Sequence, residues 1–159
     1  MEIFMNEVMK LAIDRARETM NLNYGGPFGA AVIDENGNIV AVSSNSVLKD
    51  NDPTAHAEVN AIREACKKLN TYDLSGCILY ATGHPCPMCL SAIIWANIKK
   101  VYYGCRPSDA EKIGFRDDFI YRFINDGLNE KEVLEILELD RDECVKLFDE
   151  YEKSGKVIY

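Results

Sequence analysis

Four side chains in two short stretches have the chemistry to bind a transition metal and to move protons. His56 and Glu58 lie two residues apart, and Cys86 and Cys89 follow further along the chain, three residues apart. A catalytic zinc site uses three nitrogen or sulfur ligands from the protein and leaves the fourth position for water. One histidine and two cysteines supply that number. Glu58 remains for proton transfer, because a carboxylate beside such a water can accept its proton and deliver it to a substrate.

Each half of this pattern also has a simpler interpretation. A Cys-x-x-Cys pair alone is typical of a structural zinc site or a redox-active pair, and His84 with Cys86 and Cys89 would also supply three ligands. A redox or structural module, however, gives no role to His56 and Glu58. The ordered combination of His-x-Glu and a later Pro-Cys-x-x-Cys is typical of zinc-dependent nucleobase deaminases. The pattern therefore favours a catalytic Zn²⁺ over a non-catalytic module.

Two helix starts must bring these side chains together. Asp52-Pro53 offers a capping residue and a first-turn proline, so a helix is predicted from about Ala55 to Leu69. A second helix is predicted from Met88 to Ala96, directly after the cysteine motif. Residues two apart in the middle of a helix point about 200° apart. His56 and Glu58 can therefore address one metal only if it lies off the helix N-terminus, where the thiolate forms of the cysteines are also favoured.

The remaining segments predict one α/β domain over residues 1–159, with about five strands and helices on both faces of the sheet. The first helix is expected from Met1 to about Met20, with Phe4 on its apolar face. Glu132–Leu139 suits a helix by propensity and a strand by an imperfect alternation; it is interpreted as the fifth strand because a capping box follows it at Asp140. The other predictions are strands at 28–33, 39–44, 77–81 and 100–104, a polar loop at 45–54, two short helices within 108–124 and a last helix after Asp140.

The composition restricts the class of partner. The 159-residue chain carries a formal net charge of −8, which repels a phosphate backbone and disfavours a nucleic-acid partner. The sequence has no apolar run of the ~18–20 residues that a membrane span needs. Its acidic first residues also lack the order of a signal peptide. We therefore expect a cytoplasmic protein whose six cysteines are reduced.

Four longer stretches include and extend the motifs. They are 25–30 (GGPFGA), 51–58 (NDPTAHAE), 85–89 (PCPMC) and 113–121 (IGFRDDFIY). In these stretches the chain resembles the cytidine deaminase superfamily, and more narrowly the small bacterial guanine deaminases and the plant guanosine deaminases. The resemblance implies a cytidine deaminase-like, three-layer α/β/α fold with a central mixed sheet, and one zinc ion per chain. It also implies hydrolysis of guanine to xanthine and ammonia.

The same resemblance assigns contacts to the substrate. It implies that Asn45 hydrogen-bonds the edge of the base, that Phe28 is an aromatic of the pocket and that Asp117 lies near the amine that leaves. Each residue also has a simpler interpretation: a turn asparagine, a core aromatic and a solvated acid, respectively. The block around Gly114 and its acids is the part of the resemblance that indicates a guanine-type substrate.

The resemblance further implies a homodimer in which the two chains exchange their C-terminal arms. The arm of about residues 129–159 would cross to the partner subunit, and its final residue, Tyr159, would close the partner's pocket. A frayed chain end is the simpler interpretation of a terminal tyrosine.

One position departs from the family pattern. His84 precedes Pro85 and Cys86 where the family usually has glutamate. Because that glutamate is not a zinc ligand, metal binding is expected to persist, whereas the charge of the pocket and the support of the cysteines change. Guanine, guanosine, an isocytosine-like pyrimidine and an aminotriazine therefore stay open as substrates. Deamination of adenosine in tRNA shares the zinc motifs but requires a basic surface, which a net charge of −8 does not favour.

Overall fold

A mixed sheet of four strands forms the centre of the computed structural model, which describes residues 5–159. Phe4 of the predicted first helix lies outside the described residues. The strand order is β2-β1-β3-β4; β1 runs antiparallel to both β2 and β3, whereas β3 and β4 are parallel. The strands are β1 (Gly29–Ile33), β2 (Ile39–Ser44), β3 (Ile78–Gly83) and β4 (Lys100–Cys105).

Seven helices are present in the described part of the chain. The helices are α1 (Glu7–Asn21), α2 (Val47–Asp50), α3 (Ala57–Leu69), α4 (Pro87–Trp95), α5 (Pro107–Lys112), α6 (Asp118–Asn125) and α7 (Arg141–Lys153). The first hairpin leads through the short α2 into the longer α3, and α4 connects the parallel strands β3 and β4. No helix among residues 5–159 is long and apolar enough to cross a bilayer.

Both faces of strand β1 are buried, which places the core on two sides of the sheet. Ala30 and Val32 belong to the apolar cluster that includes the alanines of α3. The alternate residue Gly29 faces α1, because a Cβ there would lie 2.0 Å from the backbone oxygen of Ala12. Since neighbouring residues of a strand point to opposite faces, α1 and α3 cover the two faces. The predicted three-layer α/β fold is therefore confirmed.

Local hydrogen bonds explain the hairpin that the Asn-Gly pair predicts. The Asp34 carboxylate accepts the backbone N–H groups of Asn36 and Asn38, each at 2.9 Å. Gly37 has φ +83°, a conformation that glycine adopts without the steric cost of a Cβ. The turn thus sets the pairing of β1 with β2 and the position of the segment that follows β2.

The predictions for residues 45–54, 132–139 and 140 were wrong. Glu132–Leu139 forms no strand, because Val133 and Leu134 break the alternation and no neighbouring strand pairs with its backbone in the described chain. The sheet therefore has four strands instead of five. Asp140 precedes α7 with a left-handed φ of 51° and makes no capping hydrogen bond with its side chain. The loop at 45–54 also contains the short helix α2.

The chain divides into two compact units, residues 1–118 and 119–159. The sheet and helices α1 to α5 belong to the first unit. The second unit includes the helix α7 and exposes many large apolar side chains. These include Leu137, Leu139, Leu147, Phe148, Ile158 and Tyr159.

Candidate active site

The position of His56 at the start of α3 explains how it and Glu58 reach one point. His56 is the N-cap residue, with an extended backbone, and its side chain does not cap the helix. The predicted cap at Asp52 is therefore wrong; that carboxylate accepts hydrogen bonds from the backbone N–H and the hydroxyl of Thr54. Because His56 lies just outside the helix, the spacing of helical side chains does not apply to it. Its imidazole and the Glu58 carboxylate can face the same side.

A polar side chain in the next turn fixes this helix start to the sheet. Asn60 Nδ2 donates to the backbone oxygen of Ser44 at 2.9 Å, at the end of β2, and to Ser46 Oγ at 3.0 Å. It also contacts the backbone oxygen of Ala55 at 3.3 Å. The loop before His56 is thereby held against the end of the hairpin.

The two cysteines are placed by the start of α4 in the same manner. Cys86 is the N-cap residue with an extended backbone, and Pro87 occupies the first turn, where its missing N–H costs nothing. Cys89 follows in the first turn and has no exposed surface. The strand-loop-helix unit β3–α4 therefore delivers both sulfur atoms toward the start of α3, which α4 contacts.

The distances among these atoms fit a tetrahedral zinc. Cys86 Sγ lies 3.6 Å and Cys89 Sγ 3.5 Å from His56 Nδ1. Zinc bonds of about 2.3 Å to sulfur and about 2.0–2.1 Å to nitrogen give a nitrogen–sulfur separation of roughly 3.6 Å at a tetrahedral angle. Among residues 5–159, these three form the one cluster of potential ligands within 4.8 Å of one another. The alternative set with His84 in place of His56 is not assembled.

Electrostatics in the metal-free cluster favour the thiolate, the form that binds metal, at one of the two cysteines. Hydrogen bonds from Cys89 and His56 outweigh burial and lower the pKa of Cys86 to about 4. The hydrogen bond that the Cys89 thiol donates to Cys86, together with burial, raises the pKa of Cys89. A divalent cation, which attracts thiolates, would displace the proton that the raised pKa keeps on Cys89.

Glu58 lies beside the cluster as a buried carboxylate. Glu58 is only 6% exposed, and its Oε2 lies 3.4 Å from Cys89 Sγ. Burial raises the pKa of Glu58 above its ordinary value, because the charged form loses its hydration. A carboxylate with a raised pKa is suited to hold and release a proton near neutral pH.

One cavity of about 560 Å³ connects this cluster with the residues assigned to the substrate. Asn45, Phe28, Asp117 and His84 all line it, together with His56, Glu58 and Cys86. Tyr159 belongs to the second unit, where its side chain is 81% exposed, and its contact with a substrate stays a prediction.

Asn45 has a structural role and a free donor at the same time. The residue is buried, and its Oδ1 accepts the backbone N–H groups of Gly26 at 3.3 Å and Val47 at 3.1 Å. The turn chemistry of the simpler interpretation is therefore present. These two bonds also fix the orientation of the amide, because only its oxygen can accept them. The Nδ2 group remains as a donor for a ligand in the cavity.

The three other predicted side chains also have defined surroundings. Phe28 packs edge-to-face on Phe115, with 5.1 Å between ring centroids, and contacts the apolar core. Burial, followed by the negative charge of Cys86, raises the pKa of Asp117. His84 Nδ1 lies 3.1 Å from the backbone oxygen of Pro85, and its ring contacts that of Tyr103.

Two arginines of the cavity wall were missed by the sequence analysis. Arg106 directly follows β4, and Arg116 lies in the loop after α5. The position of Arg106 had a signal, because carboxyl ends of parallel strands meet at the edge where α/β sites form. No sequence signal marked Arg116, because its approach to the cavity depends on the path of a loop.

Comparison with known proteins agrees with this site. Residues 4–105 match the family model described as the cytidine and deoxycytidylate deaminase zinc-binding region. The chain belongs to this family of zinc-binding deaminases. The match covers both metal-binding stretches and the four strands.

Individual relatives show which members of the family this chain is similar to. The guanine deaminase of Bacillus subtilis (strain 168) is 49% identical over 125 residues, which are 79% of this chain and 80% of that protein. The X-ray structure of the B. subtilis guanine deaminase superposes with a TM-score of 0.90 and 43% identity, over 98% of this chain and 99% of the other. A guanine deaminase structure from Nitrosomonas europaea gives a TM-score of 0.66 with 32% identity, over 73% and 68% of the two chains.

A second group of relatives acts on RNA. The tRNA-specific adenosine deaminase of Aquifex aeolicus (strain VF5) is 49% identical over 78 residues. This match covers 49% of the present chain and 51% of the relative. The similarity to the B. subtilis guanine deaminase extends over a larger part of both proteins.

Proposed function

We propose that the protein is a zinc-dependent guanine deaminase that hydrolyses the amino group at C2 of the free base, giving xanthine and ammonia. The observation that carries this proposal is the His56–Cys86–Cys89 cluster beside the buried Glu58, at one cavity with Asn45 and the other predicted contacts. The extended similarity to guanine deaminases supports guanine as the base.

Different side chains of the protein would bind the metal and transfer the protons. His56 Nδ1 and the sulfur atoms of Cys86 and Cys89 would hold the ion. Bound zinc lowers the pKa of a coordinated water to near 7 and so supplies a nucleophile at neutral pH. Glu58 Oε2 accepts one proton of the water and passes it to the ring nitrogen beside C2. It then carries the second proton, from the hydroxyl group now on C2, to the amine as the C2–N bond breaks. Water and guanine thus become xanthine and ammonia.

The cavity walls hold the base for this reaction. Asn45 Nδ2 donates a hydrogen bond to an acceptor on the edge of the base, and Phe28 packs against its ring. The Asp117 carboxylate accepts a hydrogen bond from the amine that leaves. His84 does not bind the metal. It supports the loop between β3 and Cys86 through its contact with the Pro85 carbonyl group.

We predict that Asn45→Asp lowers kcat/KM for guanine by roughly 10- to 100-fold. Aspartate keeps an oxygen for the backbone N–H groups of Gly26 and Val47 but replaces the donor to the base with an acceptor. Steady-state kinetics measure the loss, and an unfolding midpoint near that of the parent shows that the turn persists. Asn36→Asp, at the exposed hairpin turn, is the matched control. A parental kcat/KM in Asn45→Asp would remove Asn45 from the substrate contacts.

We also propose that the enzyme acts in the cytoplasm as a homodimer, with residues 129–159 exchanged and Tyr159 closing the partner's pocket. All six cysteines are free in the structure, in keeping with a reducing compartment. Exposed apolar side chains of the second unit, such as Leu137 and Phe148, give the arm a surface suited to burial against another chain. Sedimentation should give about twice the chain mass of 17.9 kDa.

We predict that two inactive variants complement each other if Tyr159 acts on the partner's site. Tyr159→Ala lowers turnover by ~10²-fold, as expected for a group that positions substrate. Co-expression with Glu58→Gln under two affinity tags yields heterodimers in which one site has both Glu58 and an intact partner tyrosine. The purified heterodimer should therefore regain about half of the parent activity. A heterodimer as inactive as either homodimer would show that the tyrosine does not act across subunits.

A substrate panel tests the choice of base. Zinc-loaded protein is incubated with guanine, guanosine, isocytosine, an aminotriazine and a tRNA anticodon stem-loop, and ammonia release is measured. We expect the highest kcat/KM with guanine. A higher value with the stem-loop would assign the protein to the activity of its tRNA-modifying relatives instead.

A further inference from the structure

Two basic side chains emerge together at one edge of the sheet. The parallel strands β3 and β4 end with Gly83 opposite Cys105, so His84 and Arg106 are the next residues of adjacent strands. The backbone N–H of His84 donates to the oxygen of Cys105 at 2.9 Å and joins the two strand ends. Both side chains line the cavity that contains Glu58.

No ion pair involves the Arg106 guanidinium among residues 5–159; the nearby Asp109 carboxylate accepts the backbone N–H of Arg106 at 2.8 Å. Arg116, in the same cavity wall, contacts Glu111 at 3.5 Å and Asp118 at 3.2 Å. Arg106 therefore gives this part of the cavity wall a charge opposite to that of the protein as a whole, whose net charge is −8. An arginine in this situation is well suited to bind a phosphate, which its planar fork of donors matches.

His84 adds to this local charge balance. Its ring is held by the Pro85 carbonyl group and by Tyr103, and it brings no negative charge to the strand ends. An acidic side chain at this position would offset the Arg106 charge, whereas the imidazole does not. The edge of the cavity formed by the two strand ends is therefore suited to an anion.

The volume of the cavity leaves space for more than a base. Ligand pockets of ~300–1,000 Å³ are typical for drug-sized molecules. The cavity of about 560 Å³ is in the middle of that range, and a free purine is smaller than such ligands. A substituent on the purine can therefore extend from the base toward the strand ends.

We propose that the site also binds a guanine base carrying a phosphorylated sugar, a purine nucleoside monophosphate, with the phosphate against Arg106 and His84. This inference rests on the proposed function, because the base occupies the same place beside Glu58. The recognition of the phosphate is a separate property of the two strand ends.

Calorimetry tests the inference without relying on turnover. The zinc-loaded Glu58→Gln protein, in which the substrate persists, is titrated with guanosine 5′-monophosphate, guanosine and inorganic phosphate. We expect the monophosphate to bind at least about tenfold more tightly than guanosine, the gain of one charge-assisted contact. Adding Arg106→Gln should remove that preference. Adding Lys112→Gln instead, which removes an exposed cation of α5 outside the cavity wall, should keep it.

The outcomes separate this inference from the proposed function. Equal affinity for monophosphate and nucleoside, or a preference that survives Arg106→Gln, would overturn the phosphate site. Inorganic phosphate binding as tightly as the monophosphate would also overturn it, since the base would then add nothing. Absence of guanine turnover by the parent protein would contradict the proposed function, while the calorimetric preference alone decides the phosphate site.

Discussion

Glu58→Gln is expected to keep its zinc and to lose turnover of guanine by about 10²–10⁴-fold, the usual contribution of general acid–base catalysis. Glutamine has nearly the same shape, and its amide can still lie against the Cys89 sulfur as the carboxylate does. It cannot accept and release the proton, and the buried position of Glu58 gives bulk water little access to replace it. The loss should therefore lie in kcat more than in KM.

The measurement combines metal analysis with steady-state kinetics on the same sample. Glu64→Gln is the matched control, because Glu64 is on the same helix and its carboxylate accepts a hydrogen bond from the Ser43 hydroxyl at the surface, away from the metal cluster. That variant should retain parental turnover. Parental kcat in Glu58→Gln, with zinc bound, would exclude Glu58 from proton transfer.

Cys89→Ser is expected to lose zinc and to reduce activity below detection. A serine hydroxyl is a harder and less acidic ligand than a thiolate, and zinc prefers nitrogen and sulfur. Cys89 is fully buried, so no solvent molecule can easily take the vacant ligand position. The metal-free protein has no activated water, and Glu58 alone cannot supply a nucleophile.

Zinc content after dialysis against a weak chelator is the direct measurement for this variant. The control is Cys105→Ser, which changes an exposed cysteine at the end of β4 that does not belong to the metal cluster. It should keep one zinc per chain. A Cys89→Ser protein that also keeps one tightly bound zinc would contradict the assigned ligand set.

The metal cluster was predictable because its chemistry is local to two short motifs. The residue types of His56, Cys86 and Cys89 limit which metal can bind, and their order along the chain limits which kind of metal site they can form. The candidate ligands lie at two helix N-termini, as the sequence argument expected, but the residue predicted to cap the first of these helices was wrong. His56 itself is the N-cap residue. Asp52 was predicted in its place because aspartate caps helices more often than histidine does.

The features that were missed depend on contacts between distant segments. Glu132–Leu139 has residues that suit either a helix or a strand, and without a neighbouring strand it forms neither. Arg106 follows a strand that was predicted, yet its place in the cavity wall requires knowing that β3 and β4 are adjacent and parallel. Asn45 was predicted from the resemblance, whereas its two backbone donors follow only from the path of Gly26 and Val47 around it.

Guanine hydrolysis by the zinc-loaded parent protein tests the central claim most directly. Xanthine and ammonia are quantified in the same reaction by chromatography and by an enzymatic ammonia assay, with the Cys89→Ser protein as the metal-free reference. The proposed chemistry predicts equal amounts of the two products, formed at a rate proportional to the zinc content. Guanine that stays intact with one zinc bound per chain, while another amino-substituted ring releases ammonia, would contradict the assignment of guanine as the substrate.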